Sequence, residues 1–297
     1  MTSVLYDVPG PRAVRRNRIL GAITVLVVLA VLGFIGYRLY VSGQFEASKW
    51  SLFTFTLVWQ QIGEALVNTL AAFALAAVLS IVLGLVLAIG RLSDHRWLRI
   101  PVAAITEILR AIPVLVLMML LYYGLPTVGV KMSPYWSVVL ALMAYNGSVL
   151  AEVFRAGIQA LPRGQSEAGY AIGLRKASVM RLILFPQAVR TMLPVIVAQL
   201  VVTMKDTALG FIITYPELLY LAKLFSTQPG RPILQSAFII GGIYIVMCLI
   251  LSGVAKYLEV RTRRSSKSRQ PVAPAIAGDA ATLTERIAVQ KGSERRP

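Results

Sequence analysis

Four polar side chains lie within long apolar stretches of this chain: Asn146, Glu152, Lys205 and Asp206. A lysine ammonium can meet a carboxylate, and an Asp or Glu carboxylate can meet an ammonium. Together they could line a path for a polar solute carrying both charges. Two plainer readings stay open: Lys205 and Asp206 pair with each other, or Lys205 snorkels outward along its methylene stem. The other unusual stretch is Arg163 to Pro186, RGQSEAGYAIGLRKASVMRLILFP, a basic interruption between apolar runs. Its residues suit a short helix. Ser166 can cap the start with Glu167 at the positive end. Gly173 can end it, with Arg175 and Lys176 complementing the negative end. Ala168, Ala171 and Ile172 would form a small apolar face. A helix this short is not stable alone, so it must rest on lipid headgroups or on a protein partner. The small side chains of that face favour a protein.

The elements that position these groups follow from composition. The chain is 57% apolar and 14% charged, with a mean hydropathy of +0.71. Soluble domains carry roughly a quarter charged residues. Several uncharged runs approach or exceed the roughly 20 residues that cross a bilayer as a helix. The reading is an all-α polytopic membrane protein of about six transmembrane helices.

Residues 1–18 form a basic arm with Arg12, Arg15, Arg16 and Arg18, and residues 19–40 hold the first span. It is too long for the apolar core of a signal peptide and lacks a small-x-small cleavage site. The aromatic segment Gly43 to Gly63 suits a membrane interface. A second helix is expected from about Ala65 to Gly90. On it Ala72, Ala76, Ser80, Gly84 and Ala88 recur every fourth residue, a stripe that lets a second helix approach closely in lipid. A third, from Val102 to Tyr123, carries Glu107 and Arg110 on one face and a kink at Pro113. The fourth, Tyr135 to Ala156, holds Asn146 and Glu152. The fifth starts near Gln187. Its uncharged part, Thr191 to Met204, covers only about 21 Å of a core of about 30 Å. It must therefore continue past Lys205 and Asp206, placing them in the outer half of the membrane, where charges usually face a cavity or partner. The sixth runs from Ile233 to Ala255, and residues 261–297 read as a basic, disordered tail.

Charge fixes the expected orientation. Nineteen Lys and Arg fall in the N-terminal arm, the 91–99 loop, the 155–190 stretch and residues 256–269. The intervening segments offer five on the other side, Lys49, Lys131, Lys205, Lys223 and Arg231, with Arg38 at the end of the first span and Arg110 inside the third helix. By the positive-inside rule, both termini and the Arg163–Pro186 loop are cytoplasmic, in a multi-pass plasma-membrane protein.

Several chemistries are excluded. There is no G-x-x-x-x-G-K-[ST] loop for ATP. His95 is the one histidine, so no H-E-x-x-H zinc site exists, and Cys248 is the one cysteine. No cofactor or metal is expected, and the chain is not expected to be an enzyme. The net charge of +17 is explained by topology rather than by nucleic acid. Gly169-xxx-Gly173 matches a membrane dimerisation spacing, but its neighbours are polar.

The spacing in the central loop resembles the Glu-Ala-Ala loop of ABC importer permeases: Glu-Ala-Ala, three residues, Gly, nine residues, Ile-x-Leu-Pro. Glu167, Ala168, Gly173, Ile183 and Pro186 match, Gly169 stands for the second Ala, and Phe185 stands for Leu. The run AEVFRAGIQALPRGQSEAGYAIGL and Lys205-Asp206-Thr207-Ala208-Leu209 resemble the polar amino-acid branch, and the chain overall looks most like actinobacterial glutamate permeases. The resemblance implies a five-helix type I importer core over residues 63–260, with a coupling loop at 157–186 and the first helix and tail as additions. It implies ATPase subunits docking on the coupling loop, a second identical or homologous permease subunit, and an extracellular amino-acid-binding protein. It also implies that Gly173 and Pro186 break the chain so that the docking helix moves as a lever. The expected solute is a polar amino acid, glutamate first, with glutamine, aspartate or arginine as alternatives. A secondary transporter is the remaining class, and the internal symmetry common there is absent.

Overall fold

The computed structural model describes residues 10–228, 230 and 232–267. Among the described residues there is no strand. Through Ala255 the chain forms one compact unit, and a second begins at Lys256. The expected disordered tail lies mostly at 268–297, outside the described residues, as does Arg231.

Helix α1 (Pro11–Val41) starts on proline, whose missing N–H is harmless in a first turn. It absorbs Arg12 to Arg18, so the basic arm is helical from Pro11 onward. None of its residues is buried. Helix α2 (Thr56–Arg91) begins earlier than the expected Ala65. The aromatic segment is condensed into two short turns, Ala47–Trp50 and Ser51–Thr54. Trp59 Nε1 donates to the Phe53 carbonyl at 2.9 Å and folds that segment against the helix start.

The stripe of small residues on α2 packs against helix α5 (Pro134–Gln159), the most extensive helix pairing in the molecule. Ala72, Ala76 and Ser80 are fully buried and Ala88 nearly so. A Cβ on Gly84 would stand 2.9 Å from Leu150 Cβ and 3.0 Å from the Gly147 carbonyl. One on Gly147 would stand 2.9 Å from the Leu83 side chain. Backbones this close leave room for hydrogen alone, as expected where packing drives association in lipid.

The expected third helix is two. Helix α3 (Arg96–Ala111) and α4 (Val114–Val128) meet at 95° across Ile112 and Pro113. Ile112 is extended, at φ −83° and ψ 121°, because the proline ring disfavours helical backbone before it. The kink expected at Pro113 is therefore a full break, and α3 starts at Arg96 rather than Val102.

Helix α7 (Lys176–Ile213) is continuous but changes pitch. A first turn, Lys176–Val179, runs into a π turn, Met180–Leu184, then into α-helix Phe185–Asp206 and a 3-10 end, Thr207–Ile213. It carries on past Lys205 and Asp206, as the short uncharged run required. It also starts before Gln187, which corrects the role expected of Pro186. That proline does not break the chain: it follows the π turn inside a helix that continues, and wider turns of this kind accommodate a missing donor. Helix α8 (Leu218–Ser226) and helix α9 (Ile233–Lys267) complete the described chain, α9 running beyond the expected Ala255.

Candidate functional site

Helix α6 (Arg163–Ala171) is the predicted short helix of the central loop. Its cap differs from the expectation. Pro162 occupies the N-cap, so Ser166 falls inside the helix and its hydroxyl donates to the Arg163 carbonyl at 2.8 Å. The other end is as the sequence indicates. Gly173 adopts φ +80°. Its N–H donates to the Tyr170 carbonyl at 2.9 Å, and that of Leu174 to the Gly169 carbonyl at 3.1 Å. This is a Schellman ending, built on a residue in the left-handed region.

Gly169 and Ile183, distant in the motif, meet in space. A Cβ on Gly169 would stand 2.9 Å from Val179 Cγ2 and 3.0 Å from Ile183 Cδ1. Hydrogen at Gly169 is what lets α6 lie on the start of α7, and Gln187 Nε2 donates to Gln165 Oε1 at 3.1 Å beside it. Glu167, Ala168 and Ala171 are exposed, and so is Ile172 at 76%. The apolar face of α6 is thus uncovered. Lys176, expected to complement the end of α6, turns to the α2–α3 loop instead. Its ammonium pairs with Asp94 and donates to the Leu92 carbonyl at 3.2 Å. The neighbouring ammonium holds the Asp94 carboxyl below its ordinary value.

The four membrane-depth polar residues are not one cluster. Glu152 lines a cavity of about 610 Å³ with Glu107 and Arg110 of α3, Tyr145 of α5 and Met192 of α7. Arg91, at the end of α2, bridges the walls, 3.1 Å from both Glu107 Oε1 and Glu152 Oε2. Toward Glu152 Oε2 the contact is ionic, without hydrogen-bond alignment. Arg155 pairs with the other oxygen of Glu152 and donates to Gln159 at 2.7 Å. Asn146 is fully buried elsewhere, donating to the Leu142 carbonyl at 3.0 Å and accepting from Gln199 Nε2 at 2.7 Å. Its amide joins α5 to α7. Lys205 and Asp206 are about 20 Å further along α7 than Met192. Among the described residues neither takes part in an ion pair, so they are not each other's partner.

The family model for the binding-protein-dependent transport system inner membrane component matches residues 80–264, more than half of the chain. The chain belongs to this family. It is a transport subunit rather than an ATPase. The glutamate transport system permease protein GluD of Corynebacterium glutamicum is 37% identical over 78% of this chain and 85% of its own. The arginine transport system permease protein ArtQ of Bacillus subtilis is 31% identical over 66% of this chain and 90% of its own. In structure, an amino acid ABC transporter crystallised with histidines matches at a TM-score of 0.65 and 29% identity, over 71% of this chain and 97% of that one. The MetNI methionine transporter shares the fold at a TM-score of 0.57 and 16% identity, over 69% of this chain and 99% of that one. The matched region of the inner-membrane component holds α6, the cavity and the last third of α2, and leaves out α1.

Sequence reasoning missed two groups. Arg91 reads as a topology charge at a helix end, yet it holds three helices together. Glu217 is fully buried at the N-cap of α8, where its carboxylate accepts from the amides of Leu219 and Tyr220 at 2.8 and 2.6 Å and from the Tyr244 hydroxyl at 2.7 Å. Thr69 of α2 accepts from the Leu218 amide at 3.3 Å. The local signal was an acid before an apolar run, but Tyr244 and Thr69 are far away in sequence.

Proposed function

We propose that this inner-membrane component is the permease subunit of an ATP-driven importer of a polar amino acid, glutamate. Its termini and α6 lie in the cytoplasm, as the distribution of Lys and Arg favours. A second permease subunit, identical or homologous, completes the pathway. ATPase subunits dock on α6, and an extracellular binding protein delivers the solute. The observation that carries the reading is α6: a helix with an uncovered apolar face, closed at Gly173 and seated on α7 through Gly169 and Ile183.

The cavity among α3, α5 and α7 suits an amino acid because it presents both charge signs. Glu107 and Glu152 would take the ammonium, and Arg110 a carboxylate. Asn146 holds the path's walls rather than touching the solute. Lys205 and Asp206 would meet the solute at the outer mouth, since charges at membrane depth usually face a cavity or partner. ATPase closure would push α6 and the start of α7 together, converting an inward-open cavity to an outward-open one. Glutamate is favoured by the 37% identity to a glutamate permease. The test is uptake of labelled glutamate into proteoliposomes containing the permease, the ATPase subunits and the binding protein. Uptake should require all three and ATP. Uptake driven by an ion gradient without the ATPase would overturn the reading.

A further inference from the structure

We infer that Lys176, Asp94 and the Leu92 carbonyl form a clasp that carries movement of α6 to the charged wall of the cavity. The inference rests on the proposed docking role of α6. Its two anchors are Gly169 against Val179 and Ile183, and Gln165 bonded to Gln187. Both anchors are on α7, so displacing α6 displaces the first turns of α7. The first residue of α7 is Lys176. Its ammonium holds Asp94 and the Leu92 carbonyl.

Leu92 is bonded directly to Arg91 along the chain, and Arg91 bridges Glu107 and Glu152 in the cavity wall. Only one peptide unit separates the clasp from the group that holds α3 against α5. Any shift of Lys176 that keeps its bond therefore pulls on the backbone that positions Arg91.

A stabilising role is a poor account of this contact. The Lys176 and Asp94 side chains are 43% and 75% exposed, and exposed ion pairs contribute little to folding. What distinguishes the clasp is the pair of elements it joins: the helix seated under α6, and the loop that follows Arg91. Direct packing of α7 on α5 could also carry movement to the cavity, and its contact at the cavity wall is Met192. Met192 of α7 fills the space over Gly157, where a Cβ would collide with its thioether, and Met192 also lines the cavity. The two routes make different predictions, because the Met192 contact is untouched by charge at positions 94 and 176.

The experiment uses the full transporter in proteoliposomes and reads ATP hydrolysed per glutamate taken up. Wild-type uptake that depends on ATP establishes that the functional reading stands before any variant is compared. Lys176→Glu and Asp94→Lys, each alone, should raise the ratio of ATP to glutamate by about fivefold. Both variants should assemble with the ATPase in normal yield. The double variant restores the ion pair with reversed sign but not the bond to the Leu92 carbonyl, so its ratio should return to within about twofold of wild type. Single variants with the wild-type ratio, or a double variant no better than either single one, would overturn the clasp and leave Met192 as the route. Absence of ATP-dependent uptake in the wild type would instead count against the functional reading.

Discussion

The α2–α5 seam and the α6–α7 junction both use glycine to bring helices together, but to opposite ends. In the seam, Gly84 meets the fully buried Leu150 and Ala151, Gly147 meets Leu83, and Ala72, Ala76 and Ser80 extend the contact over several turns. At the junction, Gly169 is the one buried residue of α6, and a single side-chain hydrogen bond from Gln187 supports it. The seam has no room to move. The junction has a small contact, an uncovered apolar face and a Schellman ending with open space around Gly173. A transporter needs both: a wall that keeps its shape, and an element held only well enough to transmit a push.

Substitutions at the glycines break this comparison most sharply. Gly84→Leu should abolish recovery of folded protein in detergent, because backbone lies within 3.0 Å of its first carbon and overpacking of this kind costs about 1–3 kcal/mol before strain on neighbours. Gly164→Ala on α6, where nothing lies within 4 Å, should express and transport as wild type. Gly173→Val should insert and assemble normally, yet hydrolyse ATP with little uptake. Its left-handed backbone costs an L-residue about 1–2 kcal/mol, so the Schellman ending reorganises while the membrane core is untouched. Gly173→Asn, which tolerates that conformation better, should retain more uptake than Gly173→Val. Equal loss in the two would show that space rather than backbone matters there.

A smaller effect is expected at Glu217. Glu217→Ala removes an N-cap, worth about 1 kcal/mol, and leaves the Tyr244 hydroxyl without its carboxylate. Thermal unfolding in detergent should shift downward, with the ratio of ATP to glutamate unchanged. The smallest effect concerns pH. Asp94 is held below its ordinary value of 3.8 by Lys176. The pair is therefore intact above that value and is lost only as pH falls through the lowered one. Coupling through Lys176 should show no pH dependence from this group near neutrality, which a pH series of the coupling ratio in wild type and Asp94→Asn would check.

What the sequence made legible were features with local rules. The four-residue period of small side chains identified the seam, because helix geometry alone puts those positions on one face. Gly173 was legible because left-handed helix endings favour glycine. Pro113 signalled a change of direction, but its 95° angle depends on what α3 and α4 pack against. Ser166 was misread because Pro162, four residues earlier, already serves as the cap. Pro186 was misread because a π turn upstream accommodates it, and no residue type announces a π turn. Arg91, Glu217 and the Lys176 clasp were invisible for a common reason: their partners lie 16 to 84 residues away. Lys205 and Asp206 stood out as charges at depth, yet the cavity meets their helix at Met192, about 20 Å away.

The central claim, that α6 receives the push of the ATPase, is tested most directly by disulfide cross-linking. With Cys248 replaced by serine, Ala168→Cys on the exposed face of α6 would be paired with single cysteines on the ATPase surface. The account predicts a cross-linked product whose formation blocks ATP-dependent glutamate uptake and is reversed by reductant. No product from Ala168→Cys, while Lys131→Cys in the loop between α4 and α5 cross-links readily, would contradict both the docking role of α6 and the proposed orientation.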